Sequence, residues 1–209
     1  MTRPILYSFR RCPYAMRARL AIQSAGVECE LREILLRDKA PEFLAASPKG
    51  TVPVVVDGDT VIEESLEIMQ WALAQNDPEG WLDMPDLGWD LIAECDGPFK
   101  SALDRYKYGS RYPDADTSDE RDKASRFIRK LDEMLEGHPR IFGENPTLAD
   151  MATLTFVRQF AHVNLEWFNA QPWANTIGWL DEFKASERFL GIMAKHPKWV
   201  AGDPVTLFP

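Results

Sequence analysis

The beginning of the chain alternates between short apolar runs and a stretch of helical apolar spacing. Residues 5–9 form an apolar run as long as a buried strand, and residues 27–35 alternate apolar and charged side chains as a second strand does. Between them, apolar residues recur at helical spacing from Pro13, a favoured first helical residue, to Gly26, a typical C-terminal cap. A strand–helix–strand segment of this length predicts two parallel strands joined by a crossover helix.

Further strands and helices follow before the pattern changes. Residues 41–47 have the pattern of a short helix, and Asp57-Gly58 between two β-branched runs predicts a hairpin. An apolar helix then begins after Glu64-Ser65, with acidic residues in its first turn. The resulting order, β-α-β-α-β-β-α, predicts an α/β domain of the thioredoxin-like kind over residues 1–76.

The rest of the chain shows helical patterns alone. Residues 77–86 are rich in helix-breaking residues and predict a linker. The helical stretches after the linker are residues 87–108, 119–136, 172–185 and 187–195. The first of them is expected to kink at Gly97-Pro98, and Thr147-Leu148-Ala149-Asp150 has the spacing of a capping box that opens another helix. We therefore expect residues 87–209 to form an all-helical domain without strands.

Length and composition are those of a globular protein with a sizeable core. The chain has 209 residues, of which 45% are hydrophobic and 27% are charged. No stretch reaches the roughly 18 apolar residues that a membrane-spanning helix needs, and no apolar segment follows Arg10-Arg11 as a secretory or twin-arginine signal requires. Three scattered cysteines argue against a disulfide framework. We expect a soluble, cytoplasmic protein with no membrane partner.

Charge is distributed unevenly along the chain. The formal net charge of −9 argues against nucleic acid as a partner, because phosphate binding needs a basic surface. Residues 1–40, however, contain eight lysines and arginines against four acidic residues. A positive region on an acidic protein is suited to stabilising a small anion or a thiolate, although a chance imbalance gives the same pattern.

Cys12 lies between the first predicted strand and the first predicted helix. A sulfur at this position faces the unbonded N–H groups and the positive end of the helix dipole, and nearby arginines add positive charge. We therefore expect a lowered pKa and a reactive thiolate at Cys12, the alternative being an ordinary buried cysteine. Ala15 stands where a second cysteine would complete a CxxC pair, so turnover would need an external thiol. Cys29 and Cys95 fit core positions in a strand and a helix.

The sequence carries no metal-binding or nucleotide-binding motif beside this cysteine. His138, His162 and His196 are far apart and lack the spacing of metal ligands, so we expect no metal site. Neither a glycine-rich dinucleotide motif nor a phosphate-binding P-loop occurs. The candidate chemistry therefore depends on the thiol.

Four motifs together resemble those of a known family. They are Cys12-Pro13-Tyr14-Ala15 followed by Arg17 and Arg19, then Thr51-Val52-Pro53-Val54, Glu64-Ser65 at a helix start, and Thr147 to Asp150 in the helical part. In this order and spacing, nearly the whole chain resembles the cytosolic glutathione transferases, in particular an omega-like, cysteine-type, bacterial-style member. The resemblance implies the two domains described above, with glutathione as cosubstrate. It also implies a homodimer in which the first domain of one subunit meets the helices of the other.

The resemblance implies how one end of glutathione would be held. The bond before Pro53 is expected to be cis, so that the Val52 backbone pairs with the cysteinyl part of glutathione. Glu64 and Ser65 would bind the γ-glutamyl end, Glu64 its ammonium group and Ser65 its carboxylate. Without a ligand, the same two residues would simply cap a helix.

Two further sets of residues are implied by the same resemblance. Lys39 would bind the glycyl carboxylate of glutathione, with Lys49 as the alternative, unless both lysines are simply solvated. Tyr106, Tyr108 and Arg111, at the end of the first long helix of the second domain, would line the pocket for the second substrate. The alternative for these three residues is a surface helix end with extended side chains.

Within this family, the residue at position 12 is expected to decide the reaction. A cysteine there implies a mixed disulfide with glutathione, as in omega-like members, and hence a thiol transferase or reductase for small disulfides or electrophiles. Tyr7-Ser8 and the pair Arg17 and Arg19 also resemble the zeta class, but Cys12 falls on the serine that is catalytic there. One alternative is conventional conjugation or isomerisation by a glutathione thiolate, with Tyr7 or Ser8 as minor candidates for its activation. The other is a noncatalytic binding or regulatory module of the same fold.

Overall fold

The computed structural model describes residues 3–209 of the chain. Met1 and Thr2 lie outside the described residues. They begin the N-terminal segment for which the sequence predicts neither a secretory nor a twin-arginine signal. The remaining residues form two compact units, one that extends to Pro78 and includes Ala185–Pro209, and one that comprises Glu79–Lys184. No helix within residues 3–209 is both long enough and apolar enough to cross a bilayer.

The regular elements follow one another in the predicted order through the first part of the chain. They are β1 (Ile5–Ser8), α1 (Pro13–Ala25), β2 (Cys29–Glu33), α2 (Pro41–Ala46), β3 (Val54–Asp57), β4 (Thr60–Ile62), α3 (Ser65–Gln75), α4 (Leu87–Glu94), α5 (Lys100–Lys107), α6 (Thr117–Met134), α7 (Leu148–Ala161), α8 (Leu165–Asn169), α9 (Ala174–Ala185), α10 (Glu187–Ile192) and β5 (Leu207–Phe208). A π-helical turn at Cys95–Phe99 joins α4 to α5, and a short 3₁₀ helix at Gly109–Arg111 follows α5.

The first unit is built on one mixed sheet with the strand order β4-β3-β1-β2-β5. β1 runs parallel to β2, with Ile5 opposite Glu30, which confirms the predicted parallel pair. β3 is antiparallel to β1 and pairs with β4 through the predicted hairpin. Gly58 in that hairpin has a φ of +57°, a conformation that glycine adopts without steric cost.

The fifth strand was not predicted. β5 is antiparallel to β2, with Cys29 opposite Phe208. The prediction that no strand follows residue 86 is therefore wrong, because a two-residue strand has too little alternation to be recognised and is defined only by its partner. The contacts of the structure also group α10 and the residues after it with this sheet, whereas the sequence assigned them to the helical domain.

α1 connects the two parallel strands and carries the core of the first unit. Pro13 occupies its first turn, and Gly26, with a φ of +66°, ends it in the left-handed conformation. The helix is buried along most of its length, and it packs against α3 and α10. A cluster of buried side chains lies beside it and comprises Tyr7, Ala15, Ile34, Ala40, Phe43, Val52, Val54 and Trp199.

The second unit is helical. α4, the π-helical turn and α5 cover the stretch predicted as one helix, and the turn includes Pro98, at the point where a kink was expected. A wider turn fits this position because proline lacks the N–H that a regular helix would use. α8 was missed, since five residues are too few to show a helical period.

The predicted capping box is present at the start of α7. The Asp150 carboxylate accepts hydrogen bonds from the N–H and the hydroxyl of Thr147, both at 2.8 Å, and from the N–H of Ile141 at 3.0 Å. Burial raises the pKa of Asp150, although these donors oppose the shift. The motif therefore fixes both the start of α7 and the position of Ile141 before it.

Candidate functional site

The Cys12 side chain lies at the N-terminus of α1. Cys12 is the N-cap residue, with an extended backbone (φ −74°, ψ 123°), and its side chain is half-buried. Its sulfur is 3.7 Å from the carbonyl oxygen of Val52. The thiol is therefore next to the positive end of the helix dipole, where a thiolate is stabilised.

The other two cysteines are core residues, as predicted. Cys29 and Cys95 are fully buried, whereas Cys12 is not. Burial raises the pKa of the Cys29 thiol to about 12, with smaller contributions from the charges of Asp57 and Glu28. Such a thiol does not ionise near neutral pH, so Cys12 is the cysteine with the surroundings of a reactive one.

The segment that leads to Cys12 is held by two charged residues that the sequence analysis did not identify as important. The N–H of Arg10 donates to the Glu33 carboxylate at 2.7 Å. The carbonyl of Arg10 accepts from the Arg19 guanidinium at 2.6 Å. The N–H of Cys12 donates to the Phe9 carbonyl at 3.0 Å. The sequence shows Arg19 only as part of a motif and gives no sign of Glu33, because their hydrogen bonds to Arg10 form only where β1, β2 and α1 meet.

The hydroxyl groups of Tyr7 and Ser8 are engaged elsewhere. The Tyr7 hydroxyl accepts from Arg32 at 2.8 Å, and the Ser8 hydroxyl accepts from Arg19. These two residues were minor candidates for activating a thiol. Their contacts with arginines give them structural partners instead.

The structure also shows the surroundings of Val52 and Pro53. The bond between them is cis, which confirms the expectation from the resemblance. Both residues are buried, and Val52 belongs to the same apolar cluster against which Cys12 packs. The Cys12 thiol and the Val52 backbone therefore lie side by side in the first unit.

Lys39 and Lys49 differ in their surroundings. The Lys39 ammonium is 3.2 Å from the position that a Cβ would take on Gly50, and Lys39 is half-buried. Lys49 is exposed and forms an ion pair with Glu64. This hydrogen bond, together with the Glu64 charge, raises the pKa of Lys49. Gly50 itself has a φ of +65°, so glycine is needed where the chain turns past Lys39.

Glu64 and Ser65 lie at the start of α3. Glu64 is its exposed N-cap residue, and Ser65 is its buried first residue. The neighbouring Glu63 accepts a hydrogen bond from Ser47. Lys49 is thus ion-paired with Glu64, and the Cys12 sulfur lies beside the Val52 carbonyl oxygen. How these residues contact a ligand remains a prediction.

Tyr106, Tyr108 and Arg111 lie in the second unit, at the end of α5 and in the 3₁₀ helix after it. Arg111 stacks on the ring of Tyr108, 4.4 Å from its centroid. Tyr106 instead packs against Phe160 of α7, with ring centroids 5.8 Å apart, and burial raises its pKa. Tyr108 and Arg111 thus contact each other, Tyr106 packs on α7, and the role of the three residues in a pocket remains a prediction.

Within residues 3–209, no group of three or more His, Cys, Asp and Glu side chains could hold a metal ion.

Sequence comparison connects the first unit to a known domain. Residues 6–80 match the family model of the glutathione S-transferase N-terminal domain. The chain is 39% identical over 77 residues to glutathione S-transferase 4 of Zea mays, a match that covers 35% of this chain and 34% of that one. It is 27% identical over 178 residues to a zeta-class glutathione S-transferase of Euphorbia esula, covering 78% and 77% of the two chains. The first of these matches thus spans about a third of the relative's length.

Structure comparison extends the similarity to almost the whole chain. A glutathione transferase family member from Pseudomonas fluorescens, solved with two glutathione bound, has a TM-score of 0.76 at 19% identity, and the match covers 91% of this chain and 92% of that one. Glutathione transferase Omega 3C from Trametes versicolor has a TM-score of 0.76 at 17% identity, with 91% and 84% covered. At such identities these similarities establish the fold. The matched glutathione S-transferase N-terminal domain covers residues 6–80, and the two solved structures share the fold of nearly the whole chain.

Proposed function

We propose that the protein is a glutathione-dependent thiol transferase of the omega-like type, in which Cys12 forms a mixed disulfide with glutathione. The observation that carries this proposal is the half-buried Cys12 sulfur at the N-terminus of α1, 3.7 Å from the Val52 carbonyl. The fold similarity to an omega transferase supports the same assignment. Ala15 leaves no second thiol in the motif, so the resolving thiol must come from glutathione.

The proposed cycle has two thiol–disulfide exchange steps. The Cys12 thiolate attacks the glutathione sulfur of a glutathionylated substrate, a Cys12–glutathione disulfide forms, and the substrate leaves as a thiolate that takes up a proton. A glutathione thiolate then attacks the glutathione sulfur of the mixed disulfide. Glutathione disulfide is released and the Cys12 thiolate is regenerated. Two electrons pass from glutathione to the substrate, and no other reductant is needed.

The first unit supplies groups that suit the three parts of glutathione. We assign the cysteinyl backbone to Val52, beside the cis bond to Pro53, and the γ-glutamyl end to Glu64 and Ser65. Lys39 is assigned to the glycyl carboxylate, because Lys49 is already engaged with Glu64. Charge-assisted hydrogen bonds to these groups would orient the tripeptide thiol toward Cys12.

The test is glutathione-dependent reduction of a small glutathionylated disulfide by Cys12→Ser and Cys12→Ala. Both variants are expected to lose at least about 99% of the activity, since removal of a covalent nucleophile abolishes the cycle. Cys95→Ala, which removes a buried thiol from the second unit, serves as the control and is expected to keep its activity. Unchanged reduction in either Cys12 variant would exclude the mechanism.

A second candidate is conventional conjugation or isomerisation by a glutathione thiolate. The zeta-class relative from Euphorbia esula, which matches over 178 residues, favours it. Transfer of glutathione to a chloro-nitro aromatic compound separates the two candidates. Activity that survives or increases in Cys12→Ser supports conjugation, and activity lost together with disulfide reduction supports the thiol transferase. A noncatalytic module would show neither activity and would bind immobilised glutathione poorly.

The remaining assignments follow from the same proposal. The second substrate would be a small disulfide or electrophile, with Tyr106, Tyr108 and Arg111 as pocket residues. The protein would act in the cytoplasm as a homodimer. Light scattering on the purified protein would then give twice the chain mass of 23.8 kDa, and a monomeric mass would exclude the homodimer.

A further inference from the structure

We propose that Arg19 and Glu33 are positioning residues for Cys12, which hold the segment of residues 8–12 and place opposed charges near the thiol. This inference rests on the proposed function, because it concerns how Cys12 is made reactive. It adds two residues that the glutathione site does not require.

Both backbone polar groups of Arg10 form hydrogen bonds with charged side chains. Its N–H donates to Glu33 of β2 at 2.7 Å, and its carbonyl accepts from Arg19 of α1 at 2.6 Å. Both bonds involve a charged group, which makes them stronger than bonds between neutral groups. Arg10 is two residues before Cys12, so the path of the chain into the N-cap position is fixed by these two side chains.

The Arg19 guanidinium is a buried cation whose hydrogen-bond acceptors are neutral. The residue is 3% exposed. Within residues 3–209, its acceptors are the carbonyls of Phe9, Arg10 and Ile192 and the hydroxyl of Ser8. Burial without a direct ion pair lowers the pKa of Arg19 to about 10. A buried cation without a contacting carboxylate has a strong effect on nearby anions, because little solvent screens it.

The C-terminal part of the first unit holds both positioning residues. Arg19 donates to the carbonyl of Ile192 at 2.9 Å, at the end of α10, where the helix dipole is negative. The backbone carbonyl of Glu33 accepts from the N–H of Trp199 at 2.9 Å. Arg19 and Glu33, which hold the Cys12 segment, are therefore themselves held by Ile192 and Trp199 from the C-terminal part of the chain.

The charged groups around this segment come from three parts of the unit. The charges of Glu33 and of an ionised Cys12 raise the pKa of Arg19, and the charge of Arg10 lowers it. From the C-terminal side, His196 is close enough for Arg19 to lower its pKa, although burial contributes more. Burial raises the pKa of Glu33, against the effect of Arg10 and Arg19. Arg19 should thus stabilise a Cys12 thiolate. The Glu33 carboxylate, which binds the Arg10 N–H two residues before Cys12, should partly oppose that effect.

The test measures the apparent pKa of the Cys12 thiol from the pH dependence of its alkylation by iodoacetamide, followed on the Cys12 peptide by mass spectrometry. Arg19→Met is expected to raise this pKa by about one unit, since it removes a nearby positive charge. Arg19→Lys keeps the charge and is expected to shift it less. Glu33→Gln, which keeps an acceptor for the Arg10 N–H, is expected to lower the pKa. If Arg19 and Glu33 only held the backbone in place, both substitutions would shift the Cys12 pKa in the same direction. Opposite shifts would therefore show an effect of their charges.

The controls remove the same charges from an exposed ion pair of the same unit. Arg3→Met and Glu28→Gln alter the pair between Arg3 and Glu28 and are expected to change the Cys12 pKa by no more than about 0.2 units. The inference is wrong if Arg19→Met and Glu33→Gln shift the pKa in the same direction or no further than these controls. Should Arg19→Met fail to fold, the fall expected for Glu33→Gln still decides the question.

Alkylation needs no glutathione, so the two proposals can fail separately. If disulfide reduction persists in Cys12→Ser, the proposed function is wrong whatever the thiol pKa. If reduction is lost in Cys12→Ser while the thiol pKa is the same in all four charge variants, the function stands and the role of Arg19 and Glu33 is wrong.

Discussion

The three cysteines of the chain have different surroundings, and this difference determines their expected reactivity. Cys12 is half-buried at a helix N-terminus, whereas Cys29 and Cys95 are fully buried. Burial and nearby acidic charges raise the pKa of Cys29 to about 12. Alkylation depends on the thiolate and on access, so both conditions favour Cys12.

We therefore predict that iodoacetamide labels Cys12 alone in the folded protein at pH about 8, with a rate at least tenfold above that of either buried thiol. Peptide mass spectrometry of protein quenched at several times measures the three rates. In urea, all three cysteines should react at similar rates, which serves as the control. Equal labelling in the folded protein would contradict the assignment of Cys29 and Cys95 to the core.

His196 gives a prediction about stability and pH. Burial, followed by the charge of Arg19, lowers its pKa below the ordinary value of 6.5. Between the lowered value and 6.5, the folded protein therefore binds fewer protons than the unfolded chain. The free energy of unfolding is expected to fall as the pH drops through that range, and the contribution of His196 is fully regained above 6.5.

His196→Asn is expected to reduce this pH dependence, measured by urea unfolding at pH 7.5 and at pH 5.5. The same comparison in the Arg19→Met background should show a smaller effect of the histidine, because one cause of its lowered pKa is gone. His138→Asn, which replaces a histidine of the second unit, is the control. A pH dependence that is identical with and without His196 would contradict the prediction.

At the scale of single elements, the start of α7 depends on one carboxylate. Asp150 is fully buried and accepts three hydrogen bonds, from Ile141 and Thr147. Asp116 at the start of α6 accepts from Ser118 and Asp119, but it is exposed to solvent. Asp150 is the third helical residue of a capping box and Asp116 is an N-cap residue, so the two compare a buried with an exposed carboxylate acceptor at a helix start.

Asp150→Ala is expected to lower the free energy of unfolding by about 2–4 kcal/mol, since it leaves buried donors without an acceptor. Asp116→Ala is expected to cost about 1 kcal/mol or less, because water replaces the lost acceptor. Urea unfolding followed by circular dichroism measures both values. Equal losses in the two variants would show that burial does not strengthen the capping box.

Elements with a clear local signal could be predicted from the sequence, and elements that depend on distant partners could not. Pro13, Gly26 and the Asp57-Gly58 turn act within a few residues, so the bounds of α1 and the hairpin were predicted closely. β5 has two residues and pairs with β2, whose Cys29 lies opposite Phe208 near the other end of the sequence. No local pattern can encode such a pairing.

The candidate site shows the same division. Cys12 was found because its position before Pro13 at a strand-to-helix junction is visible in the sequence. Glu33 was missed because its contact with the Arg10 N–H exists only after β1 and β2 pair. Arg19 was noticed as part of a motif, but its bond to the Ile192 carbonyl joins residues 173 positions apart.

For the molecule as a whole, the first unit needs residues from both ends of the chain. Phe208 is 6% exposed in the sheet, and its neighbour Leu207 is 47% exposed on the same strand. The two side chains therefore separate the contribution of packing from that of strand pairing, since both residues belong to β5.

Phe208→Ala is expected to lower the free energy of unfolding of the first unit by about 3 kcal/mol, and Leu207→Ala by less than about 1 kcal/mol. Urea unfolding gives the two values, and amide hydrogen exchange of β2 shows where protection is lost. Faster exchange in β2 is expected for Phe208→Ala alone. Similar effects of the two variants would indicate that β5 does not pack on the sheet.

The position of β5 at the outer edge of β2 has a consequence for synthesis on the ribosome. The four other strands emerge from the exit tunnel first, and residues 79–184 follow before β5 emerges. A nascent chain of that length carries a four-stranded sheet with the backbone groups of β2 unpaired at its border. Such a border can pair with strands of other chains, so holdase chaperones are expected to bind this intermediate until translation delivers the fifth strand.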